Sequence, residues 1–212
     1  MESINILNIK LQSLSLAELL QRMDKGVLIT PNVDHLMKLQ HDEEFYKIYK
    51  QTDWAVCDSN IVQLALRFLG NPVAEVIPGS SLFPAYCAHH KENPAVRIFL
   101  LGAGPGIADL AAANINHRAG RAMVVAAHSP SYGFEKDEAE CLALVAQVNR
   151  SGATVLVVGV GAPKQEKWIF KYKDRMPGVQ LFMALGATID FEAGTLQRAP
   201  GWMQRIGMEW LY

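Results

Sequence analysis

Cysteine is scarce in this chain and badly placed for cross-linking: Cys57, Cys87 and Cys141 are odd in number, far apart and without CxxC spacing. That pattern excludes a disulfide framework, argues against cysteine-bound zinc, and fits a reducing compartment. An excess of charge is also missing, since 20 Lys and Arg stand against 21 Asp and Glu for a net charge of -1. No overall basic field exists to hold nucleic acid or anionic lipid, so any basic site has to be local. No apolar run approaches the roughly 18 residues of a membrane span, and the opening "MESINILNIK" lacks the basic-then-apolar order of an export signal. These absences point to a cytoplasmic protein. No DxD, HxxxH or HExxH occurs either, so the motifs give no basis for a metal site. Repeats, low-complexity tracts and linkers rich in Pro, Gly or Ser are lacking, which predicts a single domain over residues 1–212.

What is present is apolar sequence in short, regularly spaced runs, with hydrophobic residues making up 50% of the chain. A short β segment is expected over Ile4–Leu11, and "SLAE" at Ser15–Glu18 has the spacing of a capping box opening a helix. Strand-like runs then end at Thr30, Asp58, Gly102, His128, Gly159 and Gly186, each followed by a helical or turn segment. Alternation of this kind predicts an α/β fold, a Rossmann-like, doubly wound and mostly parallel sheet with helices on both faces. Gly70–Ser81 reads as an irregular loop beside an active site or at a subdomain seam.

In such sheets ligands bind beyond the carboxyl ends of the strands, so the residues there are the ones that matter. They are Thr30–Asn32, Asp58–Asn60, Gly102–Gly104, Ser129–Gly133, Gly159–Glu166 and Gly186, and the topology predicts that they line one crevice. "GAGPG" from Gly102 has the look of a dinucleotide fingerprint, but the next strand ends in His128 and Ser129 rather than in the acid that would hold a ribose. A nucleotide or phosphate site and a plain tight turn both stay open there, with a dinucleotide oxidoreductase as the weaker third reading. "VGVGAPKQEKW" (Val158–Trp168) makes a second glycine turn that opens into a helix, where Pro163 suits the first turn and free N–H groups suit an anion. Lys164 adds a point charge and Gln165 a two-way hydrogen-bonding group; the alternative is a capped surface helix with Trp168 in the core. Asp58 is the candidate general base, an acid at the end of an apolar strand, and equally a candidate N-cap for the helix that follows. Asn32 carries the same ambiguity, and His35 reads as an early helix residue. Near the end of the chain Trp202, Ile206 and Trp210 share one helical face, suited to packing, self-association or an interfacial membrane contact.

Taken together, "TPNVDHL" (30–36), "VCDSN" (56–60), "PGSSLF" (78–83), "FLLGAGPG" (99–106), "SPSYGFE" (129–135), "VGVGAPKQEKW" and the segment from Asp190 to Tyr212 resemble the WecG/TagA/CpsF glycosyltransferases, glycosyltransferase family 26. The resemblance implies inverting transfer of N-acetylmannosamine or a related sugar from a UDP donor to a polyprenyl-diphosphate-linked sugar at the cytoplasmic membrane face, in surface polysaccharide or teichoic acid synthesis. It puts the base on Asp58 and polar site residues on Thr30, Asn32 and Gln165, without a bound metal. The donor would then be held by Gly102, Gly104, Gly159, Gly161, Lys164, Gln165, Glu166 and Arg198. The chain departs from the family pattern at Ser59, Ser81 and Val76, where relatives often carry Gly, Asp and Arg, so a non-catalytic nucleotide-sugar binding module is the alternative. Relatives also continue past "EWLY" with an arginine-rich membrane-contacting tail, and without one the expectation is weak turnover.

Overall fold

The computed structural model describes residues 3–197. Strand β1 (Ser3–Ile6) and strand β2 (Ile9–Gln12) pair antiparallel across a turn at Leu7 and Asn8. The single β segment expected over Ile4–Leu11 is therefore a hairpin, because Leu7 takes a positive φ of 51° and reverses the chain. The main sheet is built from β3 (Gly26–Ile29), β4 (Trp54–Ala55), β5 (Ile98–Gly102), β6 (Val124–His128), β7 (Val155–Gly159) and β8 (Leu181–Ala184). All neighbours are parallel, in the order β4-β3-β8-β7-β5-β6. The helices in chain order are α1 (Leu16–Arg22), α2 (Val33–Lys38), α3 (Glu43–Gln51), α4 (Asn60–Phe68), α5 (Gly79–His89), α6 (Ile107–Ala119), α7 (Glu138–Ser151), α8 (Lys164–Tyr172) and α9 (Thr188–Ala193).

Successive residues along the strands pack into alternate layers, the period of a pleated sheet whose two faces are both covered. Val27, Ile29, Phe99, Leu101, Leu156, Val158, Phe182 and Ala184 pack with the buried sides of α2, α3, α4, α7 and α8. Leu28, Ile98, Leu100, Val155, Val157, Leu181 and Met183 pack instead with α1, α5, α6 and α9. Every residue of β5 and β7 is buried, which is why both read as unbroken apolar runs. The hairpin adds Ile6, Ile9 and Leu11 to the first layer. Its Gln12 side chain donates to the Asp53 carbonyl and accepts from the Ala55 N–H, so an amide covers the backbone of edge strand β4.

Strand β4 is shorter than its apolar run. Val56 N–H still donates to the Ile29 carbonyl, but Asp58 N–H turns to Pro31 and Ile77 N–H donates to Cys57, so the chain leaves the ladder to form the sheet's carboxyl rim. Part of the expected loop at Gly70–Ser81 is helical, since α5 starts at Gly79. The capping box at Ser15 and Glu18 forms as its spacing predicts.

The strand-end glycines are a steric requirement of the sheet. Gly102 has φ +143°, and a Cβ placed there would lie 2.3 Å from the Gly159 carbonyl oxygen; one on Gly159 would lie 2.5 Å from the carbonyl oxygen of Gly186. Three turns thus meet backbone to backbone at the carboxyl edge. Gly102→Ala is expected to destabilise the fold by about 3 kcal/mol or more, because rigid backbone has to move. Gly120→Ala, which meets nothing within 4 Å at φ +68°, should cost about 1 kcal/mol for the left-handed backbone alone. Urea midpoints measure both, and equal losses would contradict the steric account.

Candidate active site

Two adjoining hollows lie at the carboxyl edge, in place of the one crevice the sequence suggested. The larger, a cleft of about 650 Å³, is lined by Thr30, Asn32, His35, Asp58, Ser80 and Gln165 among others. The smaller, about 360 Å³, lies over the Gly159–Gly161 turn and is walled by Tyr132, Glu135, Lys164 and Asp190. Gly186 and Ala187 line both.

Each side chain of the cleft is placed by a local device. Ser59, not Asp58, caps α4, its hydroxyl accepting from Val62 N–H. The bonds from the Asp58 N–H to Pro31 and from the Ile77 N–H to Cys57 hold Asp58 at the rim. Asn32 does cap α2, accepting from His35 N–H at 3.1 Å, and it lines the cleft as well. Thr30 is buried at the end of β3. Lys38 donates to Asp34 at 2.6 Å and to the Ala162 carbonyl at 3.0 Å, tying α2 to the β7 turn.

Gln165 is more deeply engaged than a ligand contact requires. Its Oε1 accepts from Gly161 N–H and from Gly186 N–H, each at 3.1 Å, and its Nε2 donates to Glu166 Oε1 at 2.8 Å. One amide thus clasps the β7 turn to the β8 turn, which is where the two hollows meet. Glu166 lies beneath the clasp, wholly buried, and lines neither hollow. Burial pushes its carboxyl up to about 7, against the opposing effect of the Gln165 bond. Gly102 and Gly104 also line neither hollow: Gly102 makes the close strand contact, and the carbonyls of both accept from Ser129 Oγ. Gly159, Gly161 and Lys164 do line the smaller hollow, with the Lys164 ammonium 5.7 Å from the Tyr132 ring centroid. Trp168 is core, donating its indole N–H to Cys141 Sγ. Arg198, Trp202, Ile206 and Trp210 fall outside the described residues.

The family model described as the WecG/TagA/CpsF family of glycosyl transferases matches residues 4–212. This chain belongs to that family. It is similar to the N-acetylglucosaminyldiphosphoundecaprenol N-acetyl-beta-D-mannosaminyltransferase of Staphylococcus aureus (strain MRSA252), with 26% identity over 185 residues that span 87% of this chain and 70% of the relative. A glycosyltransferase is thus the class of protein to which the cleft belongs.

Several groups of the two hollows escape the sequence. His35 is buried on the cleft wall with Nδ1 2.6 Å from the Tyr49 hydroxyl, and edge-on contacts to Phe45 and Tyr49 fix its ring. The signal available was the apolar spacing of Phe45 and Tyr49 in α3, which sets an aromatic pair under the "TPNVDHL" turn. Tyr132 and Asp190 were read only as parts of longer motifs. Among the described residues, no group of three or more His, Cys, Asp and Glu is placed to hold a metal ion, and no helix is long and apolar enough to cross a membrane.

Glu166 and His35 give stability opposite pH dependences. Because the folded pKa of Glu166 is raised from 4.5 to about 7, its neutral form's contribution is complete below pH 4.5 and is lost as pH rises through 7. Burial lowers His35 from 6.5 to about 4, so its contribution is present above pH 6.5 and lost as pH falls to 4. Glu166→Gln keeps an oxygen for Gln165 and removes the acid. The stability of this variant minus that of the native chain should therefore rise by on the order of 3 kcal/mol between pH 4.5 and pH 7.5. Urea unfolding at a series of pH values measures it, and a flat difference contradicts an acid buried in this way.

Proposed function

We propose that this chain transfers a sugar, N-acetylmannosamine or a close relative, from a UDP donor to a polyprenyl-diphosphate-linked sugar, with inversion at the anomeric carbon. One observation carries the reading: the Asp58 carboxylate lines a polar cleft that adjoins a glycine-turn hollow walled by Lys164. Support also comes from the relative's name, which describes an acceptor on undecaprenyl diphosphate and an N-acetylmannosaminyl product.

In this mechanism the UDP moiety occupies the smaller hollow. N–H groups at the start of α8 and the Lys164 ammonium face its diphosphate, and donors placed beforehand stabilise charge that grows as the bond breaks. The sugar extends across Gly186 into the larger cleft. Asp58 takes the proton of the acceptor hydroxyl, the oxygen forms a bond to the anomeric carbon from the opposite face, and the bond to the UDP oxygen breaks so that UDP leaves with its electron pair. Thr30 and Asn32 hydrogen-bond the reacting sugars, and the Gln165 clasp keeps the two hollows at a fixed spacing. Charge neutralisation in this scheme comes from the protein and not from a metal ion. The acceptor's lipid requires the chain to work at a membrane surface, as a peripheral protein on the cytoplasmic face; nucleic acid has no part in it.

Asp58→Asn is expected to lower kcat by about 10² to 10⁴, the usual worth of a general base, with UDP affinity almost unchanged. Turnover assays with UDP-N-acetylmannosamine and a lipid-diphosphate-linked N-acetylglucosamine measure it. Undiminished turnover overturns the role of Asp58, and absence of transfer by the native chain with intact UDP binding favours the non-catalytic binding module.

A further inference from the structure

His35 has an arrangement that packing alone does not call for. It sits on α2 directly behind the Asn32 cap, buried, yet its ring forms part of the wall of the larger cleft. Phe45 and Tyr49 grip the ring edge-on, at centroid distances of 5.6 and 6.3 Å. The Tyr49 hydroxyl lies 2.6 Å from Nδ1, which leaves Nε2 as the ring nitrogen available to the cleft.

The chemistry of the pair settles which nitrogen carries the proton. A phenol is a strong donor and a weak acceptor, while the unprotonated nitrogen of an imidazole is a strong acceptor, so Tyr49 O–H donates to Nδ1. The proton of the neutral ring then resides on Nε2. The charged and titratable groups around the pair reinforce this. Asp34 and Lys38 on α2 act on the imidazole in opposite senses, so burial dominates and keeps it neutral. Glu166 on α8 and the Asp58 carboxylate raise the pKa of Tyr49, in addition to its burial, so the phenol holds its proton. Tyr49 satisfies one ring nitrogen, and no other hydrogen bond to the ring is made among the described residues.

We infer that His35 is a substrate-binding residue of the cleft, its Nε2–H donating to an oxygen of the sugar carried by the nucleotide, and that Tyr49 is the positioning residue that keeps the proton on Nε2. The inference rests on reading the cleft as the sugar-transfer site. A neutral donor suits this place. It holds an uncharged sugar oxygen without adding a cation that would pair with Asp58 and weaken it as a base.

Long-range ¹H–¹⁵N spectra of the histidine rings in the full chain test the idea directly. The expected pattern for His35 is a neutral ring protonated on Nε2, unchanged from pH 5.5 to 8, whose signals move on saturation with UDP-N-acetylmannosamine and stay in place with UDP alone. Tyr49→Phe should yield a mixture of tautomers and weaken UDP-N-acetylmannosamine about 5-fold, with UDP binding unaltered. His35→Phe should weaken it about 10-fold or more, and His35→Gln, which returns an N–H near the position of Nε2, should restore most of the loss. Urea midpoints show that each variant folds. Bound UDP-N-acetylmannosamine without a His35 response, a ring protonated on Nδ1, or a ring titrating near its ordinary pKa overturns the inference alone. Failure of the native chain to bind either UDP or UDP-N-acetylmannosamine overturns the transferase reading and this inference with it.

Discussion

The site depends on the side-chain amide of Gln165. Gly161 and Gly186 close different strands of the sheet, and both aim a backbone N–H at the same Oε1 atom. Without an acceptor these two amides would be partly buried and unpaired, at about 1–3 kcal/mol each. Glu166, by accepting from Nε2, fixes which end of the amide faces the glycines. Beside the clasp there is no room for a Cβ on Gly102 or Gly159, which lie against the backbones of Gly159 and Gly186. Sheet packing, glycine and amide are thus one construction, and its product is a shared wall between two hollows.

That wall gives the proposed chemistry its geometry. A nucleotide sugar has a charged end and a neutral, reacting end, and among the described residues lining the two hollows the one Lys or Arg, Lys164, lies on the smaller. The smaller offers Lys164 and the start of a helix, with Glu135 and Asp190 also on its wall. The larger offers Thr30, Asn32, a neutral imidazole and the carboxylates Asp34 and Asp58. In the proposed mechanism Lys164 meets the charge that leaves, and Asp58 stands with Thr30 and Asn32 beside the carbon where the new bond forms. Proximity held by a rigid rim is then a main contribution of the fold to rate.

Much of this was legible in the chain. The strands ending at Gly102, His128 and Gly159 were readable to the residue, because buried parallel strands are unbroken apolar runs that stop at polar or glycine turns. Strand β4 was overestimated since apolar character continues through Val56 and Cys57 after the ladder has ended. The N-terminal hairpin was missed because Leu7, a residue without a turn preference, carries the positive φ. At the site, Asp58 and Ser59 are adjacent and either can cap a helix, so only the backbone decides that Ser59 does. Gln165 was recognised as a site residue, but its partner Gly186 lies 21 residues on, and no local pattern shows that contact. Glu166 shows the same limit: a charged letter in a polar helix start proves to be a buried acid.

The central claim is that the glycine-turn hollow takes the uridine diphosphate of a nucleotide sugar with charge supplied by the protein itself. Isothermal titration of the chain with UDP, with and without magnesium and with NAD as the control, tests it most directly. The account predicts UDP binding that magnesium leaves unchanged, and no heat from NAD. Binding of NAD, UDP binding that appears only with magnesium, or no binding of UDP at all would contradict it.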